Sequence, residues 1–257
     1  MPASEVVPAE NPRQDAPPIA SWPHFAGFLL IGGGIVALGM LAQRAPSGGG
    51  TGDSSSQLAG HSQAIHIYLG AIVMDWLLLY YCWAGVHGRG GNLQTLSGGR
   101  WASWKDLAID WAIAAPFFVI WEGAAYGVHS LLGRLGTTLG SDSAKTVDRL
   151  LPQSLVEILI WIATSVTAGI CEEMAFRGYV QKQFHALTRS GVTGVLLQGL
   201  VFGLFHAYQG WQNVIVISVL GVLYGMLAAW RRNLRANIMV HAWTDVWEGW
   251  LKFVVWR

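Results

Sequence analysis

Residues 153–177 read QSLVEILIWIATSVTAGICEEMAFR. From Leu155 to Cys171 the run is almost wholly apolar, and its one charged residue, Glu157, falls near the start. A helix of about 20 such residues crosses the roughly 30 Å hydrocarbon layer of a bilayer. Helices also satisfy their own backbone polar groups in lipid. The stretch therefore predicts a membrane-spanning helix, with Glu157 close enough to its end to reach water. Directly after the apolar run come two glutamates and an arginine, Glu172, Glu173 and Arg177. Charged side chains are costly in a membrane span, so these three are functional candidates.

The pattern repeats outward from this helix. Six more apolar segments, at 24–43, 65–86, 107–132, 192–208, 212–230 and 237–255, join the one at 153–175. The chain is 53% hydrophobic and 12% charged, whereas a soluble domain averages about 25% charged residues. Too little polar sequence remains to cover a soluble surface. The predicted fold class is all-α, a polytopic transmembrane helical bundle of about seven to eight membrane helices. With a net charge of +1, nothing suggests nucleic acid, and none is expected as a partner. Cys82 and Cys171 both fall inside apolar segments. They give no disulfide framework, and Cys171 reads as a small buried hydrophobe.

Residues 1–23 are rich in proline and carry Glu5, Glu10 and Asp15. They predict a disordered tail rather than a signal peptide. Residues 24–152 hold the first membrane helices, with a flexible Gly/Ser loop at 45–63. Pro116 predicts a kink in the third segment. The polar stretch 133–152 reads as a loop or as an extra short helix. Lysines and arginines cluster in 87–106, in 177–191 and in 231–236. Cytoplasmic loops carry such excess, which predicts a multi-pass protein with a cytoplasmic N-terminus; the plasma (inner) membrane is the default expectation for its location.

The chemistry concentrates in three places. Glu173 and Arg177 are four apart, share a helix face and can pair. Glu172 points roughly 100° away around the helix, free to face a cavity and act as a base. In FGLFHAYQG, His206 follows Phe202 by four residues. In NIMVHAWTDVW, His241 and Asp245 are again four apart and can hydrogen-bond. Glu172 lies 17 residues before Arg189 and His206 lies 17 after it. Two straight helices from a turn at Arg189 would put both side chains at one height. His241 follows the turn near Asn233 by only a few residues, so its height is not matched this way. Asp75, Asp110, Glu122, His66 and His129 read as structural or interfacial, with Glu122 the strongest candidate among them for lining a cavity.

The three motifs together resemble the CPBP family, the CAAX proteases and bacteriocin-processing enzymes also called Abi. That family is marked by EExxxR, FxxxH and HxxxN or HxxxD on successive membrane helices. Here these are Glu172 to Arg177, Phe202 to His206 and His241 to Asp245. The resemblance makes 153–255 a catalytic helical core and implies an intramembrane endopeptidase. Its substrate would be a membrane-associated protein or peptide tail. Glu172, with His206, would activate water. His241 and Asp245 would stabilise the oxyanion, and Glu173 and Arg177 would support the geometry. The favoured mechanism uses no metal. Zinc is the alternative, with Glu172, His206 and His241 as ligands. The resemblance also admits a non-catalytic membrane scaffold or immunity partner. HExxH and serine-type GxSG motifs are missing from the sequence, and Gly50 to Asp53 spells GxGD inside the Gly/Ser loop by chance.

Overall fold

The computed structural model describes residues 17–44, 54–136 and 151–255. Helix α1 spans Trp22–Arg44, α2 Ser54–His87, α3 Leu93–Ser97, α4 Trp104–Arg134 and α5 Leu155–Glu172. Without a break the chain then enters a π-helical stretch, Glu173–Val180, and continues as α6, Gln181–Thr188. Helix α7 (Gly191–Phe205), a 3₁₀ turn (Ala207–Gln209), α8 (Trp211–Arg231) and α9 (Arg235–Val255) follow. No strand occurs among the described residues. Five helical stretches are long and apolar enough to cross a membrane: Trp22–Leu41, Gln63–His87, Trp104–Arg134, Leu155–Thr188 and Trp211–Arg231. Gly191–Phe205 is a shorter apolar helix. The chain is thus the expected helical membrane bundle. Large apolar residues such as Leu30, Leu38, Leu77, Val119 and Leu159 are exposed, while Glu173, Arg177, Gln198 and Asn237 are buried. That is the arrangement a lipid-facing surface requires.

Local chemistry sets the helix ends. Ser103 caps α4 in a reciprocal box with Asp106, and Ser154 and Ser190 cap α5 and α7. Arg189 and Arg232 end α6 and α8 in the left-handed conformation. Pro116 lies inside α4, which runs continuously through it. The packing that matters most for the site is between α5 and α9. A Cβ on Gly169 would stand 2.9 Å from Ala242 N and Ile238 O. Glycine there lets the two backbones touch, as small residues do at membrane helix interfaces.

Three sequence expectations need correction. The tail predicted at 1–23 is structured from residue 17, because Ala20 is fully buried and exchanges two hydrogen bonds with the Gln183 amide (3.2 and 3.1 Å). Residues 1–16 lie outside the described residues. The loop predicted at 45–63 is helical from Ser54 onward. Gln57, Leu58 and Ala59 are good helix formers, and the glycine-rich part at 45–53, with GxGD, lies outside the described residues. Glu157 is 1% exposed and does not reach water. It turns back on its own helix start and accepts from Gln153 N at 2.7 Å. Of the polar stretch 133–152, residues 137–150 lie outside the described residues.

The three basic stretches meet at one end of the bundle. Leu234 N donates to Ser97 O (2.9 Å) and Lys182 Nζ donates to Thr95 O (2.5 Å). Buried Asp110 accepts from Arg231 (2.9 Å), Arg235 (2.7 Å) and Trp101 (3.0 Å). Asp110 is therefore the structural ion-pair centre that ties α4 to the start of α9.

Candidate active site

The π-helical stretch begins at Glu173, so the two adjacent glutamates straddle a change of helix type. Such stretches recur at functional sites because the wider turn re-aims side chains. Glu173 points into the core and is fully buried. Its Oε1 accepts from Arg177 Nη1 at 2.8 Å and its Oε2 accepts from Asn237 Nδ2 at 3.1 Å. Arg177 is buried too, lies over the Phe202 ring at 4.2 Å and reaches Gly221 O at 3.4 Å. The four-residue spacing of Glu173 and Arg177 thus survives the π geometry.

Glu173 also receives His241. The Nδ1–H of His241 donates to Glu173 Oε1 at 2.7 Å. An ionised carboxylate can only accept, which fixes the proton on Nδ1 and turns Nε2 outward. That nitrogen stands 3.8 Å from Glu172 Oε2 and 3.8 Å from Asp245 Oδ2. Both gaps exceed a hydrogen bond and leave room for one bridging atom such as a water oxygen. The imidazole is clamped between the Tyr224 ring, stacked at 5.2 Å, and the edge of Phe202. Thr244 Oγ1 donates to His241 O at 2.8 Å and Trp161 Nε1 donates to Asp245 O at 2.7 Å, pinning this turn of α9.

A cavity of about 520 Å³ opens in front of Nε2. Glu172, His206, His241 and Asp245 all line it. The sequence pairs Glu172 with His206, whereas the contact the structure gives Glu172 is with His241. The reason lies in how α7 ends. The helix stops at Phe205 and His206 is its cap, with Nδ1–H donating to Phe202 O at 2.8 Å. His206 therefore presents only Nε2 to the cavity. The height of His241, unmatched in the sequence reading, follows from the α5–α9 contact at Gly169, which sets that register.

Two further acids share the cavity, Asp75 of α2 and Glu248 of α9. Asp75 was read as structural from sequence, although an acid in the middle of an apolar run is the signal that marks a functional position. Asn237 was missed as well; it lies one turn before His241, which is the available clue. Glu122 is beside the wall residue Trp121 and does not itself line the cavity. Among the described residues, no three His, Cys, Asp or Glu side chains converge closely enough to hold a metal ion.

No curated protein and no solved structure matches the chain. One family model does, over residues 154–247, and it ends two residues past Asp245. This span holds Glu172, Glu173, Arg177, His206, His241 and Asp245, and leaves out Asp75. Residues 154–247 are similar to the Rce1-like type II CAAX prenyl endopeptidase family, whose model matches that stretch of the chain.

Proposed function

We propose that this protein is an intramembrane endopeptidase that cleaves a membrane-associated protein or peptide tail. The reading rests on one arrangement: a carboxylate and a histidine Nε2 that face each other across 3.8 Å at a cavity wall, with the far side of that histidine held by a buried carboxylate. Glu172 takes a proton from a water in the gap, and the water oxygen attacks the peptide carbonyl. His206, with Nδ1 committed to a backbone carbonyl, has Nε2 free to share that proton. When doubly protonated, His241 donates Nε2–H to the oxyanion, the interaction that usually contributes most to such a step. Collapse of the intermediate breaks the C–N bond, and the proton on Glu172 passes to the leaving amine. No step passes through a metal.

The test compares cells carrying the wild type with cells carrying Glu172→Gln, by sequencing new protein termini in their membranes. Termini present with the wild type and lost with the variant are expected. Identical termini would sink the proteolytic reading and leave a scaffold role.

Asp245 sits at the same distance from Nε2 as Glu172, and an ionised aspartate cannot donate to an oxyanion. It acts by orienting His241. Asp245→Leu is expected to lower kcat/KM by about 10²-fold. Asp245→Asn, whose amide can donate, is expected to stay within about tenfold of the wild type. A fully active Asp245→Leu variant would remove Asp245 from the mechanism.

The same reading places the basic end, and with it the N-terminus, in the cytoplasm. Cysteines placed at Ser97 and at Gln209, at opposite ends of the bundle, report on this. In intact cells an impermeant thiol reagent is expected to label position 209 and to spare position 97. The reverse pattern would invert the topology.

A further inference from the structure

A second cavity, of about 260 Å³, lies at the basic end, away from the reaction site. Its wall carries Arg177, Lys182, His185 and Arg232, and no aspartate or glutamate. Lys182 directs its ammonium to the backbone oxygens of Thr95 and Leu96, and among the described residues it has no acidic partner. His185 and Arg232 have no ion-pair partner among the described residues. Arg177 is 1% exposed, yet its Nε is buried without a hydrogen-bond partner. A buried guanidinium N–H left unmade is expensive, and a ligand that accepts from it recovers that cost. Gln181 Oε1, also buried and unpartnered, offers an acceptor for a hydroxyl of the same ligand.

From these observations we infer that this pocket binds a phosphate-bearing anion, either the headgroup of an anionic phospholipid or free phosphate. Phosphate oxygens accept from guanidinium and ammonium groups in charge-assisted hydrogen bonds. Basic pockets between membrane helices near the surface suit such headgroups. The site has a consequence for the reaction chemistry, because its ligand would touch the rear of the arginine whose Nη1 holds Glu173. The inference does not depend on the chain being a protease, since binding is read without any substrate.

The experiment uses the full chain purified in neutral detergent, with binding followed by native mass spectrometry and by the shift in Tm. The probes are phosphatidylglycerol, phosphatidylcholine and inorganic phosphate. The comparison variant is the double substitution Arg232→Asn and His185→Gln, since asparagine tolerates the left-handed conformation at 232. Phosphatidylglycerol is expected to bind and raise Tm while phosphatidylcholine does not. The double variant is expected to bind about ten-fold more weakly, the scale of one lost charge-assisted hydrogen bond. If inorganic phosphate alone reproduces the effect, the ligand is free phosphate and the site stands. If neither anion binds, or if the double variant binds as tightly as the wild type, the site is refuted. The melting point of the ligand-free variant controls for misfolding, and is expected to equal that of the wild type.

Discussion

Glu172→Gln is expected to abolish peptide cleavage, by at least about 10³-fold in kcat, and to leave the stability of the protein unchanged. The size follows from the role: removing a general base costs roughly 10²–10⁴-fold, and 10³-fold corresponds to about 4 kcal/mol of barrier. The unchanged stability follows from the contacts. Among the described residues Glu172 has no hydrogen-bond partner, its 3.8 Å approach to His241 being too long for one, and its side chain is 18% exposed to the cavity. Glutamine keeps its shape. The neighbouring substitution, Glu173→Gln, makes the same chemical change with the opposite balance. It removes the charge that Arg177 faces inside the core, so it lowers Tm as well as activity. Rates from a purified cleavage assay and melting curves from the same preparations check both. If Glu172→Gln cleaves at a near wild-type rate, or if the two variants melt alike, the division of roles between the glutamates is wrong.

That division was partly legible in the sequence. Hydropathy is local, so the membrane segments and the turn at Arg189 could be read directly. The Glu173–Arg177 pair could be read because its spacing holds in both α and π geometry. Other features depend on tertiary contacts that no local pattern carries. The partner of Glu172 is decided by how far α9 slides along α5, and the bare backbone of Gly169 decides that. His206 faces the cavity with one nitrogen because α7 ends at Phe205 and His206, as its cap, commits Nδ1 to Phe202 O. Asp75 comes from a helix outside the motif-bearing region and joins the cavity only on packing. The start of α2 was misplaced because a serine-rich composition was read as a linker when it also suits a helix N-terminus.

Arg177→Met is expected to destabilise the protein by about 3–5 kcal/mol, since removing one partner of a buried ion pair strands the other charge. That is a large share of the roughly 5–15 kcal/mol by which a domain is stable. Glu173 would keep its hydrogen bonds from Asn237 and His241, 3.1 and 2.7 Å, but neither replaces a cation 2.8 Å away. The cation–π contacts of Arg177 with Phe202 and Tyr224 would go too, although methionine fills much of the space. Adding Glu173→Gln to Arg177→Met removes the stranded charge, so the double variant is expected to recover most of the lost Tm. Activity should not return with it. A carboxylate forces the proton of His241 onto Nδ1, whereas a glutamine amide can present its own N–H and turn the imidazole to the other tautomer. Thermal unfolding in mild detergent and cleavage rates for the single and double variants decide the matter. A double variant no more stable than Arg177→Met would mean that charge is not what Arg177 supplies. A double variant with full activity would mean that Glu173 does not set the proton position of His241.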